Sequence, residues 1–273
     1  MDNLNLAKNE ERSQLYCEGM EYGPSNEIGI SDRTGFYKLS DGSTVPGVTQ
    51  VLDLIVPPRL KTAISKRSYN ANQKMLFSTG AEGKKIEQLC TLELLGGETA
   101  RLLAETVGEF EYQRILEQWV EFRLKHKITA IQTQLNVWSQ KFGYAGSLDL
   151  YGNFDSCGNK ECCYYDVHGL CVMDFKSGFY SKKAALQMAA YAQGLNDMTK
   201  NSVVGVIGLQ VHRDGRYPKA FVTKEVHRSL KRFLYCLEIF KNEFWSELEK
   251  RNYHWLTRDS AEEYLKERIE YER

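Results

Sequence analysis

The cleanest hydrophobic pattern in the chain lies over residues 224–250, where Val226, Leu230, Phe233, Leu237, Phe240, Phe244 and Leu248 recur at helical spacing. That stripe predicts an amphipathic helix with one buried side. A second helix is predicted over about 82–95, with Ile86, Leu89, Cys90 and Leu94 buried and Gly96-Gly97 ending it. A third, over about 99–124, carries Leu103, Val107, Phe110, Ile115, Trp119 and Phe122. A fourth, rich in small residues, occupies about 182–198.

Strand-like spacing fills the intervals. Residues 128–152 alternate around a turn at Lys141-Phe142-Gly143, and a cysteine-bearing hairpin, 155–171, leads into a strand at Cys171–Lys176. VVGVIGLQVH reads as another strand, followed by the turn signal Asp214-Gly215 and a return strand near 219–223. Near the start, GFYKLSDGSTVPGVTQVLDLI reads as a strand, a turn at Asp41-Gly42 and a short apolar segment, before Pro57-Pro58 breaks the chain. The order α–α–β–β–β–α–β–β–α predicts an α/β (α+β) fold, a mixed central β-sheet flanked by helices. Residues 1–34 show little periodicity and read as a loosely ordered N-terminal arm, leaving 35–273 as one domain with a C-terminal helix.

Composition narrows the class. The 273 residues are 42% hydrophobic and 26% charged, which suits a globular chain rather than a disordered one. Lys+Arg and Asp+Glu both number 36, so no global basic field marks a passive nucleic-acid coat. A local basic segment, 61–85, contains Lys61, Lys66, Arg67 and Lys74. No run approaches the roughly 20 apolar residues of a membrane helix. The polar, acidic start reads as neither a secretory signal nor a transit peptide. Seven cysteines, an odd number, argue against a disulfide framework and for a reducing, cytoplasmic setting.

Candidate chemistry concentrates in YAGSLDLYG and VMDFKSGFYSKKAALQMAAYAQGL. In a strand, Asp174 and Lys176 emerge on one face and Met173 and Phe175 on the other. Asp-x-Lys alone is equally the pattern of a solvated pair on an exposed strand. Asp149, between Leu148 and Leu150, is expected to point away from their shared face. If the two strands pair, Asp149, Asp174 and Lys176 converge, an arrangement suited to a hard divalent cation. Gln187 and Tyr191, four apart, share a helix face. They serve either as a substrate-facing pair or as the edge of a packed helix.

The segments GSLD, DFK and QMAAY together resemble the PD-(D/E)xK nucleases, in the branch of RecB-like and lambda-type exonucleases of phage type. The resemblance spans roughly residues 36–225 and includes DGSTVPGVTQVL, similar to a phrase near the start of phage-encoded members, with Gly47 replacing the usual serine. It implies a restriction-endonuclease-like core with catalytic residues Glu87, Asp149, Asp174 and Lys176. The implied metal ligands are Glu87, Asp149 and Asp174, for Mg²⁺ or Mn²⁺. Substrate contacts would come from Ser177, Gln187 and Tyr191. Glu87, in Gly83-Lys84-Lys85-Ile86-Glu87, stands where the family commonly has histidine; a carboxylate is the harder ligand and suits Mg²⁺.

The activity so implied is metal-dependent hydrolysis of phosphodiester bonds in DNA by an exonuclease of phage recombination, repair or genome processing. A structure-specific or nicking endonuclease, or an inactive module that only binds DNA or protein, are the alternatives. Single-strand or duplex-end DNA is the expected partner, with a recombinase or single-strand-binding protein beside it, in the cytoplasm of a bacterial host. Some relatives hold an iron–sulfur cluster, but the cysteine arrangement here does not match. Cys157, Cys162, Cys163 and Cys171 lack paired zinc-knuckle spacing and are read as free thiols. No Walker A loop, H-E-x-x-H or dinucleotide fingerprint is present.

Overall fold

The predicted strand segments beyond residue 128 pair into one sheet whose two faces offer apolar side chains to two helical layers. The computed structural model describes residues 36–39, 43–55, 69–96, 110–157, 166–178, 180–199 and 203–245. A short antiparallel hairpin, β1 (Phe36–Lys38) and β2 (Thr44–Pro46), comes first and leads into the one-turn helix α1 (Val48–Leu52). Two long helices follow, α2 (Tyr69–Leu94) and α3 (Phe110–Lys125). Then come β3 (Thr129–Ser139), β4 (Tyr144–Asp155), β5 (His168–Lys176), α4 (Lys182–Met198), β6 (Gly205–Gln210), β7 (Lys219–Val222) and α5 (Val226–Phe240).

The sheet order is β3-β4-β5-β6-β7. All neighbours are antiparallel except β5 and β6, which run parallel and are joined through α4. This is the mixed sheet with flanking helices that the pattern predicts. Two apolar layers cover its faces. On one, Ile86 and Leu89 of α2 and Ile115, Trp119 and Phe122 of α3 pack on Met173 and Phe175 of β5. On the other, Met188, Tyr191 and Leu195 of α4 and Phe233 and Leu237 of α5 pack on Val172 and Val206. Strand β5 therefore has apolar neighbours on both faces, which explains its nearly unbroken hydrophobic text.

A buried carboxylate stitches the first layer together. Glu93 of α2 accepts from Trp119 Nε1 at 3.1 Å and pairs with Arg123 of α3 at 2.7 Å. Without these partners a carboxylate there would be costly to bury.

Several boundaries differ from expectation. Helix α2 reaches back to Tyr69, well before 82; its first half bunches its apolar residues at Met75-Leu76-Phe77 and so shows no helical stripe to read. The strand expected through 212 ends at Gln210, and residues 211–218 form a longer loop to β7. The C-terminal helix changes to a π-turn at Lys241–Trp245, where Lys241 Nζ donates to the Phe142 carbonyl at 2.7 Å. The arm 1–34, the basic residues 61–67, the stretch 97–109, Cys162, Cys163 and the chain beyond 245 lie outside the described residues. Cys90, Cys171 and Cys236 are free thiols. Among the described residues no helix is long and apolar enough to cross a membrane.

Candidate active site

Strict alternation along β5 sets the first half of the site. Cys171, Met173 and Phe175 go to the α2–α3 layer and Val172 goes to the α4–α5 layer, so Asp174 and Lys176 follow Val172. Asp174 is only 2% exposed, and its Oδ2 is in direct ion-pair contact with Lys176 Nζ.

Strand β4 breaks the same rule. Leu148 packs in the α4–α5 layer and Leu150 in the α2–α3 layer, so the expected common Leu148–Leu150 face does not exist. The pairing runs Leu135↔Leu148 and Thr133↔Leu150. At the intervening position of β3, Gln134 takes a left-handed φ of 53°. A local irregularity thus reorients the strand at Asp149, a common device where a side chain must be re-aimed. The β4–β5 ladder ends at Leu150↔Met173. Beyond it, the amide of Phe175 donates to Asp149 Oδ2 at 2.8 Å. Asp149 is thereby anchored to the residue between Asp174 and Lys176.

The charges act on one another. Burial first, then the charges of Asp174 and Glu87, push the Asp149 carboxyl well above the usual aspartate range, against the pull of Lys176 and the Phe175 amide. Burial pulls Lys176 down, but Asp174, Asp149 and Glu87 more than offset it and hold the ammonium above its ordinary value. The acidic neighbours thus favour the charged ammonium, which can donate hydrogen bonds and neutralise nearby negative charge.

Glu87 reaches this field from α2. It is half-buried, and its Oε1 accepts from Gln134 Nε2 at 2.6 Å. Ser177 is half-buried as well; a Cβ added at Gly83 would stand 2.9 Å from its Oγ. Tyr191 is buried against Gly146, so its ring packs the site rather than lying open to a substrate. Its hydroxyl accepts from Gln187 Nε2 at 2.9 Å, and burial, then Asp174, hold the phenol well above its usual range. Glu87, Asp149, Asp174, Lys176, Gln187 and Tyr191 are thus linked by contact or by field, and Ser177 directly follows Lys176.

Two residues join this set that the sequence did not single out, Gln134 and Arg213. Arg213 donates to Glu82 Oε2 at 2.7 Å and to Ser177 Oγ at 3.3 Å. A glutamine in an alternating strand carries no signal, and Arg213 is one charge beside a turn.

Among the described residues no three His, Cys, Asp or Glu side chains lie together as a ready-made metal group. Asp174 faces Lys176 and Glu87 faces Gln134 instead. The donor set is nonetheless of the right chemistry. Three carboxylates against one ammonium leave an excess of negative charge, and hard oxygen donors fit Mg²⁺ or Mn²⁺. No family model matches the chain, and no curated protein matches it.

Proposed function

We propose that this chain is a Mg²⁺- or Mn²⁺-dependent DNA nuclease of the PD-(D/E)xK type, acting as an exonuclease in recombination, repair or genome processing of a phage. One observation carries the reading. Asp149 accepts from the backbone amide of Phe175, which joins the aspartate of the G-x-x-D segment to the middle of the D-x-K segment. Asp149, with its carboxyl raised by burial and by Asp174 and a half-buried lysine beside it, is expensive to maintain without a function that uses it.

Asp149 and Asp174, with Glu87 inside or just outside the coordination sphere, would hold the cation. Once bound, the cation supplies Lewis-acid polarisation of the phosphoryl oxygen and a more acidic water. Lys176, kept protonated by its acidic neighbours, is placed to orient that water or to neutralise charge growing on the phosphate. Buried Tyr191 and its partner Gln187 brace the strand that bears Asp149, and Ser177 offers a hydroxyl beside Lys176. The expected ligand is a DNA strand, gripped in part by the basic segment 61–85, with a recombinase or single-strand-binding protein as partner.

The test is incubation with end-labelled linear and with circular DNA, in Mg²⁺ or Mn²⁺. Release of nucleotides from linear DNA alone supports the exonuclease. Nicking of the circle assigns an endonuclease on the same centre. Intact DNA in both arms, with either metal, would remove the proposal.

A further inference from the structure

We infer that Arg213 is a positioning residue that latches helix α2 to the end of β5 and so keeps Glu87 at the Asp149–Asp174–Lys176 centre. Its own position is fixed first. Val211 continues the parallel ladder by donating to the Lys176 carbonyl at 2.9 Å. The chain then turns, with Gly215 donating to the His212 carbonyl at 3.1 Å and holding a φ of 67°, a conformation glycine adopts without strain. Arg213 emerges from this turn beside Ser177.

One arm of its guanidinium reaches Glu82 of α2 at 2.7 Å, and another reaches Ser177 at 3.3 Å. The planar fork can serve two acceptors in fixed directions, which an ammonium cannot do as well. The two elements approach closely here, since a Cβ at Gly83 would stand 2.9 Å from Ser177 Oγ and 4.0 Å from its Cβ. Gly83 and Glu87 are four apart in α2 and share a face. The face that rests on Ser177 is therefore the face that presents Glu87. Arg213 and Glu82 are part-exposed, at 30% and 44%. A pair so exposed contributes little to global stability, so its role is geometric.

The metal arm of the test rests on the proposed function; the other arm does not. A Cβ at Gly83 lies 4.0 Å from the Ser177 Cβ, within the roughly 3.5–4.5 Å spacing of disulfides. In Gly83→Cys/Ser177→Cys protein, where Arg213 keeps its Glu82 arm, the disulfide equilibrium against glutathione reads how firmly that arm holds the two elements together. Adding Arg213→Ala should lower that equilibrium by about two- to fivefold, equal to a shift of roughly 10–20 mV. In otherwise unmodified protein, Arg213→Ala should weaken Mn²⁺ affinity, read by the spin signal of free Mn²⁺, by about two- to fivefold. DNA affinity measured without metal should hold. Arg213→Lys should fall in the same direction, which guards against misfolding of the alanine variant. Closing the disulfide in the Arg213→Ala background should restore Mn²⁺ affinity relative to the same protein reduced. A disulfide equilibrium indifferent to Arg213, or Mn²⁺ affinity unchanged by its loss, overturns the latch. Absence of Mn²⁺ binding to the unmodified protein overturns the metal reading, and the disulfide arm alone then decides the latch.

Discussion

The ring of Tyr191 lies across Gly146, so that any Cβ at the glycine would collide with the tyrosine Cε1. Two segments far apart in sequence, GSLD and QMAAY, are thereby interlocked, and the glycine is there for space. Gly146 is three residues before Asp149 on the same strand, so pressure on the ring is pressure on the site. Gly146→Ala should destabilise the protein by about 1–3 kcal/mol through overpacking, measured by urea unfolding. Tyr191→Ala carries its own cavity cost, but in that background the further loss from Gly146→Ala should largely vanish, since the collision disappears. A Gly146→Ala protein as stable as the original would mean that this contact is not tight.

Gln134 separates strain from function. Its left-handed φ of 53° is uncomfortable for any L-residue, while its side chain holds Glu87. Gln134→Gly and Gln134→Ala both lose that hydrogen bond, so both should lose the same share of activity. The glycine variant should be the more stable by about 1–2 kcal/mol, the cost of the left-handed region. Equal stability of the two variants would contradict the strain.

Asp149 gives stability a pH signature. Burial, then Asp174 and Glu87, raise its carboxyl above the ordinary 3.8. The folded state thus keeps a proton that the unfolded state has already lost. Its contribution is whole below 3.8 and is lost as pH rises through the folded value. Asp149→Asn cannot ionise, so it should be more stable than the parent at pH 7, and the gap should close as pH falls toward 4. His126 works in the opposite sense: burial, then Lys125, push it down from 6.5 to about 4, so its contribution fades in acid. It is common to both proteins and cancels in the difference. A gap independent of pH, measured by denaturant unfolding from pH 4 to 8, would contradict a carboxyl raised by desolvation and by its acidic neighbours.

Where the sequence was legible, a repeating pattern carried the information. Helix α4 begins and ends where its small, apolar text does, at Lys182 and Met198, and the alternation of β5 correctly put Asp174 and Lys176 opposite Met173 and Phe175. The failures fall where the pattern is interrupted. Leu148 and Leu150 look like neighbours on one face, but the irregularity beside Gln134 sends them to different layers. The first half of α2 has no apolar stripe, so its start at Tyr69 was invisible. Gln134 and Arg213 enter the site through tertiary contacts, with Glu87, Glu82 and Ser177, and no local spacing announces them.

The central claim is that Asp149, Asp174 and Lys176 form a hydrolytic centre for DNA phosphodiesters. Its most direct test is turnover of labelled linear DNA by metal-stripped protein reconstituted with Mn²⁺, compared with Asp174→Asn and Lys176→Ala. The parent protein should cut only with metal and stop on addition of EDTA. Lys176→Ala should lose about 100- to 1,000-fold in turnover, and Asp174→Asn at least as much, with DNA affinity retained in both. Cleavage that survives exhaustive metal removal, or a Lys176→Ala protein that turns over at the parental rate, would contradict it.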